Sequence, residues 1–244
     1  MGFRKRPYFH FHQLGLRANP FGALVVAEWA DVAVLPPVLH SALAQGFAHL
    51  QLLGPKGVGK TTTLHKLMAL WLENGRSATY EYIPEGQTVY YGTLAGVDAY
   101  FLDEMQRLRW RERRRLLKEA AQSGCQLVCA SHVDLARWFG RFGLSVITVR
   151  LETAVTRDLY AAVLAKRLAA FSLPGETTAG GTAVTFAPSA INWLHATFGT
   201  DLREAEYFLY DFFQTLSTPQ AITDSILANF WEQTLSTSDN SNHE

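Results

Sequence analysis

The run Gly54-Pro55-Lys56-Gly57-Val58-Gly59-Lys60-Thr61 fits G-x-x-x-x-G-K-S/T, the Walker A pattern of a loop that cradles nucleotide phosphates. Its glycines let the backbone curve tightly and bring N–H groups to phosphate oxygens. Lys60 is placed to reach the β- and γ-phosphates, and the Thr61 hydroxyl to ligate Mg²⁺. Thr62 continues the nucleotide-binding set into the following turn. A helix beginning at Gly59 or Lys60 adds a dipole that favours the anion. The pattern fixes only four positions, so its context decides. The bland alternative is a glycine turn between a core strand and a helix.

A second signal lies downstream. Ala99-Tyr100-Phe101-Leu102 is apolar and ends in Asp103-Glu104, which reads as a Walker B strand. A carboxylate at the tip of a buried strand can hold Mg²⁺ through its water shell, which assigns Asp103 to the metal beside Thr61. The neighbouring carboxylate, Glu104, can polarise an attacking water. The alternative is a solvated strand end.

These residues need a scaffold that brings them together. Residues 49–53 are apolar enough for a buried strand ahead of the glycine loop. Leu64, Leu67, Met68 and Trp71 behind it follow the i, i+3, i+4, i+7 spacing of a helix face. Further strands are predicted over 78–83, 99–103, 126–131 and 145–151, most of them separated by helices, which gives a parallel sheet. A short helix is expected over 41–47. After Leu151 the pattern turns helical, with helices predicted over 156–172, 188–198, 202–216 and 222–234. A Gly/Thr-rich connector at 174–181 and a short strand over 182–186 fall among them. The fold class expected is α/β: a five-stranded parallel P-loop NTPase sheet with flanking helices, then a small α-helical lid. The divisions expected are a lead-in at 1–48, a core at 49–152, a lid at 153–235 and a disordered Ser/Asn/Asp tail at 236–244.

The bulk properties bound this reading. The chain has 244 residues, enough for one large α/β domain or a core with a small lid. Lysine plus arginine equals aspartate plus glutamate at 22 each, so the global balance points to neither nucleic acid nor membrane. The start is basic and aromatic without an apolar h-region, so no signal peptide is expected. No apolar run reaches ~18 residues, so no membrane insertion is expected. Cys125 and Cys129 sit four apart on one predicted strand, too far to bridge. They read as small core residues in a reducing cytoplasm.

The order of motifs resembles the AAA+ family of ATPases: Walker A, Walker B, a fourth strand with a polar tip, a fifth strand, then a helical lid. The resemblance covers most of the chain and implies ATP and Mg²⁺ as cofactors. The fourth strand ends Cys129-Ala130-Ser131-His132, where the family's sensor 1 sits, so Ser131 or His132 looks like that residue. Ser131 could equally cap a helix beginning near Val133. In the lid, the segment from Phe198 through Gly199 and Asp201 to Arg203 resembles sensor 2, which would bring Arg203 to the γ-phosphate. The alternative is a surface arginine in a helix's first turn. Gly15 to Phe21 resembles the opening of a bacterial subgroup that includes secretion-associated and transposition-regulating ATPases. There Asn19, Pro20 and Phe21 are candidates for the adenine pocket, against a loop packed by one aromatic. The family places a trans-acting arginine just before the fifth strand, which suggests Arg141, or else Arg137. The alternative is an arginine satisfying the end of a helix.

Two departures from the family narrow the role. Only residues 84–98 lie between the second and third strands, where the family has a helix and a projecting pore loop. A parallel crossover itself takes a dozen or so residues, so threading of polypeptide is not expected. Nor is a DNA-reading domain expected after the lid. Arg107, Arg111, Arg114 and Lys118 follow 4, 3, 4 spacing, which on a helix gives one basic face. That face could meet DNA phosphates, an acidic neighbouring subunit, or only solvent. The chemistry implied is ATP hydrolysis in a switch or assembly factor, homo-oligomeric when ATP-bound, with a protein partner the sequence does not name. The alternatives are an ATP-gated adaptor with little turnover and a DNA-associated regulator.

Overall fold

The computed structural model describes residues 7–173 and 183–240. The connector expected at 174–181 and the last tail residues, 241–244, lie outside them. Two compact units are present. One is Val25–Val155; the other joins the residues up to Leu24 to those from Thr156 onward.

Helix α1 (Pro7–Gln13) belongs to the second unit. The sheet unit runs α2 (Val26–Val32), α3 (Pro37–Gln45), β1 (His49–Leu53), α4 (Lys60–Glu73), β2 (Ala78–Tyr82), β3 (Ala99–Asp103), a 3₁₀ turn Met105–Arg107, α5 (Trp110–Ser123), β4 (Gln126–Ser131), α6 (Ala136–Gly140), β5 (Val146–Arg150) and a 3₁₀ turn Leu151–Ala154. The five strands are all parallel in the order β2-β3-β4-β1-β5, with Leu52 of β1 opposite Ala130 and Val149. β1 and β3 are buried along their whole length. Inner parallel strands covered on both faces need this near-continuous apolar character.

The polar residues inside the sheet have partners. Gln51 donates to Asp134 and Thr148, both at 3.1 Å, and accepts from the Leu135 amide at 2.7 Å. His49 Nδ1 accepts the Leu127 amide at 3.0 Å, so that nitrogen is unprotonated, and burial lowers the imidazole pKa. Cys125 and Cys129 are free and buried; burial pushes the Cys125 thiol up to about 11. On the α5 and α6 side, Leu102, Leu116, Leu117, Leu127 and Phe139 form part of one apolar cluster. Truncating Phe139 there would cost about 3–5 kcal/mol.

The short helix expected over 41–47 instead starts at Pro37, whose fixed φ suits a first turn. Residues 84–98 hold no helix or strand. They are pinned instead. The Glu81 carboxylate accepts the Tyr91 and Gly92 amides, both at 2.9 Å, and the Tyr100 hydroxyl. Glu119 accepts the Leu94 amide at 3.0 Å and the Tyr90 hydroxyl at 2.8 Å. A Cβ on Gly92 would overlap the Tyr100 phenol, so glycine is required for this close approach.

The second unit continues with α7 (Arg157–Phe171), β6 (Thr185–Phe186), α8 (Pro188–Phe198), α9 (Leu202–Thr215), β7 (Ala221–Ile222) and α10 (Asp224–Asn240). Thr156 caps α7, its hydroxyl accepting the Leu159 amide at 3.3 Å, worth about 1 kcal/mol. Phe198, Phe208 and Trp231 meet with ring centroids 5.4 to 5.6 Å apart. Ile222, expected to open the last helix, instead pairs with Phe186 in a two-stranded parallel ladder. That helix then continues to Asn240, through the first part of the tail expected to be disordered. Extending an established helix adds one hydrogen bond per residue without a new nucleation cost.

The expected lead-in at 1–48 is not one segment. Its first part is stitched to the end of α7. Leu16 bridges Ser172, the Arg17 amide donates to Phe171 O at 2.8 Å, and the Leu173 amide donates to Gly15 O at 2.9 Å. Its second part packs through α2 on α4 in the sheet unit.

Candidate nucleotide site

The site lies where β1, β3 and β4 end. β1 runs into the glycine loop, and α4 begins at Lys60. Gly57 and Gly59 have φ of 82° and 87°, left-handed values that L side chains rarely adopt. At Gly54 the constraint is space, since a Cβ would lie 2.9 Å from Val58 Cγ2, and Val58 is buried. Pro55 and Lys56 are exposed, and Thr62 is half-buried beside Thr61 at the start of α4.

Lys60 is only 6% exposed. Its ammonium donates to Gly54 O at 2.8 Å and Pro55 O at 2.7 Å, and stands 3.4 Å from His132 Nδ1. The cation is folded onto its own loop. Thr61 Oγ1 donates to Asp103 Oδ2 at 2.6 Å. A hydroxyl and a carboxylate in contact are two hard oxygen ligands of the kind Mg²⁺ takes. Among the described residues no three His, Cys, Asp or Glu gather as a metal cluster. The donor set therefore suits an ion that keeps waters and phosphate oxygens in its shell. Tyr80 also donates to Asp103 Oδ2, at 3.3 Å. Burial first, then the Asp103 charge, pushes the Tyr80 phenol pKa up, so it stays a donor.

Glu104 is the one non-glycine residue with positive φ among those described, at φ 61° and ψ 39°. Such a conformation costs about 1 kcal/mol or more and persists where surrounding contacts fix it. Here Oε2 accepts from Gln106 Nε2 at 2.5 Å and lies 3.4 Å from Arg107 Nε, while Oε1 lies 3.1 Å from His132 Nε2. The Lys60 ammonium can only donate, so His132 Nδ1 accepts. The ring proton then sits on Nε2, facing Glu104.

The two sensor 1 candidates separate. The Ser131 hydroxyl is buried and turned back on its own chain, donating to Val133 O at 2.7 Å and accepting the Val133 amide at 3.0 Å. It caps no helix, because α6 starts at Ala136, whose amide bonds Asp134 Oδ1 at 2.9 Å. His132 is the one that meets Lys60 and Glu104.

Other expected residues lie elsewhere. Arg107 is not on α5 but in the preceding 3₁₀ turn, because the chain leaves helical geometry at Leu108. It donates to Ile83 O at 2.7 Å and Tyr82 OH at 3.1 Å. Arg111, Arg114 and Lys118 remain on α5 and are exposed. Arg137 and Arg141 are exposed on and just after α6, and the Arg141 guanidinium lies 5.3 Å from the Trp138 ring centre. In the second unit, Arg203 is exposed in the first turn of α9, where Asp201 caps the Arg203 and Glu204 amides, both at 3.1 Å. Asn19 donates to Tyr210 O at 2.9 Å and accepts the Phe21 amide at 3.0 Å. Pro20 is buried beside it, and Phe21 packs edge-on to Phe213 at 5.1 Å. Sequence reasoning missed Tyr80 and Gln106. A tyrosine in an edge strand carries no signal; Gln106, two residues after the acidic pair, was a local one.

No protein-family model and no curated protein matches the sequence. Solved structures do match. Domain III of the Thermotoga maritima replication initiation protein DnaA aligns at TM-score 0.56 and 17% identity, over 87% of this chain and 98% of that one. The Thermotoga maritima RuvB Holliday junction branch migration motor aligns at 0.50 and 18%, over 85% of this chain and 67% of RuvB. NtrX from Brucella abortus, in complex with ADP, aligns at 0.51 and 14%, over 80% of this chain and 55% of NtrX. The chain therefore spans only part of the length of RuvB and NtrX. Sheet order, glycine loop, acidic strand end and these neighbours agree: the chain has the AAA+ P-loop ATPase fold.

Proposed function

We propose that the chain binds ATP with Mg²⁺ and hydrolyses it, acting as a nucleotide-dependent switch or assembly factor. The observation that carries this reading is the contact of Thr61 with Asp103 at 2.6 Å, with Lys60 and Glu104 joined through His132 beside it. Phosphoryl transfer asks mainly for positioning and charge neutralisation. Lys60 binds the β- and γ-phosphates, Thr61 and Asp103 hold the metal, and Glu104 orients the attacking water. Bound Mg²⁺ supplies charge neutralisation across the phosphate oxygens. The Walker A residues from Gly54 to Thr62 bind the phosphates. Asn19, Pro20 and Phe21 on the adenine, Arg203 on the γ-phosphate and Arg141 from a neighbouring subunit complete the proposal, as does assembly with copies of itself when ATP is bound. So does kinship with secretion-associated and transposition-regulating ATPases.

Calorimetry with ATP and Mg²⁺, paired with phosphate release, tests it. Lys60→Ala should remove most nucleotide affinity, whereas Glu104→Gln should keep binding and lower turnover by about 10²-fold or more. Wild-type affinity in Lys60→Ala would end the proposal.

Two further readings each have an observation behind them. Glu104 is held by three partners, which favours an ATP-gated adaptor that binds a protein partner and turns over slowly. The exposed Arg111, Arg114 and Lys118 on α5 favour a DNA-associated regulator; a Holliday junction branch migration motor and a replication initiation protein are among the structures the chain resembles.

A further inference from the structure

Two exposed aromatic rings accompany the cations of α5. Arg111, Arg114, Arg115 and Lys118 fall within roughly 100° of the helix circumference, opposite the buried Leu116, Leu117 and Ala120. The acids on that helix are engaged. Glu112 pairs with Arg115 at 2.7 Å and Arg109 at 3.7 Å, and Glu119 is turned onto Tyr90 and the Leu94 amide. Glu112 offsets Arg115, and the exposed Arg111, Arg114 and Lys118 leave the outward face of α5 net positive.

Trp110, the first residue of α5, is 55% exposed, and the Arg111 guanidinium lies 5.3 Å from its ring centre. Tyr91 is 79% exposed on the crossover between β2 and β3. Its backbone is fixed: the Tyr91 and Gly92 amides are bound by Glu81, while Arg115 donates to Tyr90 O at 3.0 Å and lies 4.0 Å from the Tyr90 ring centre. Arg115 thus joins the loop bearing Tyr91 to the basic face. A pinned loop presents its ring without the ordering cost that binding would otherwise impose.

We propose that this face binds single-stranded nucleic acid, with unpaired bases stacking on Tyr91 and Trp110 and phosphates meeting Arg111, Arg114 and Lys118. The inference rests on the reading of α5 as a nucleic-acid face and names its ligand class. Positive charge alone would accept a duplex or an acidic protein. Exposed rings beside the charges select bases whose π-faces are free.

Fluorescence anisotropy of the full-length protein tests it, with a labelled oligothymidylate and, separately, a duplex of equal length across a salt series. The oligothymidylate should bind more tightly. Tyr91→Ala and Trp110→Ala should each weaken it about 5- to 100-fold, with duplex affinity, ATP affinity and circular dichroism unchanged. Arg111→Gln and Arg114→Gln should each reduce the single-strand salt slope by about 0.7. Duplex binding through the arginines with silent aromatics overturns this inference alone. Failure of both nucleic acids at low salt, or tighter binding of polyglutamate, overturns it together with the DNA reading of α5. The assay needs no nucleotide, so the ATP-site proposal stands or falls separately.

Discussion

His132 Nε2 stands 3.1 Å from Glu104 Oε1, tying the residue after the fourth strand to the residue expected to orient the attacking water. The contact fixes a carboxylate whose backbone is already in a strained conformation. His132→Ala should lower turnover about tenfold, the usual size for a residue that orients a catalytic neighbour, with ATP affinity little changed. His132→Gln should restore part of the loss if orientation is the role. Steady-state phosphate release alongside calorimetry separates this from a binding defect.

Tyr80 reaches the same Asp103 oxygen as Thr61. Tyr80→Phe removes only that hydrogen bond. The Mg²⁺ concentration for half-maximal hydrolysis should rise by up to about tenfold, while Mg²⁺-free nucleotide binding stays at wild-type strength. An unchanged Mg²⁺ titration would remove Tyr80 from the metal's surroundings.

Arg141 is exposed at the end of α6, with no ion pair among the described residues. If it acts in trans, Arg141→Ala and Lys60→Ala proteins should each be inactive, and their mixture should regain hydrolysis. Some mixed interfaces then join an intact phosphate loop to an intact arginine. Mixtures that co-assemble by light scattering yet stay inactive would refute the trans role.

His49 gives a pH signature independent of ligands. Burial sets its folded pKa below the ordinary 6.5. Below that value the unfolded chain binds a proton that the folded chain resists. Stability is thus fully present above pH ~6.5 and is lost as pH falls through the folded pKa, with a slope of at most about 1.4 kcal/mol per pH unit. His65, lowered by burial against an opposing Asp103 charge, adds in the same direction. Urea unfolding between pH ~7.5 and ~5.5 should show the decline, and His49→Asn should flatten it.

The sheet and its loops were legible because their signals are local. The glycine loop, the apolar run into Asp103 and the helix face at Leu64, Leu67 and Trp71 each sit within one element. What was not legible depends on contacts between distant segments. Tyr80 matters because β2 lies beside β3, which no local pattern encodes. Arg107 fitted a helical stripe by spacing, but the chain turns at Leu108 before α5 begins. Ile222 looked helical, and only its pairing with Phe186 makes it a strand residue. The sensor alternatives at Ser131 and His132 were open in sequence because rotamers decide them.

The seating of residues 10–21 among residues from Phe171 onward has a consequence for biogenesis. Asn19 bonds Tyr210 across 191 residues of sequence, and His10 bonds Phe213 across 203. The ribosome releases this segment well before its docking partners. Residues 10–21 must therefore wait, with Phe11, Leu14, Leu16 and Phe21 uncovered, until the segment from Phe171 to Phe213 has been made; all four are buried in the folded protein. A fragment beginning at Thr156 would lack these plugs and expose the apolar seats they fill, so it is a poor candidate for expression in isolation unless residues 7–24 are fused back to it.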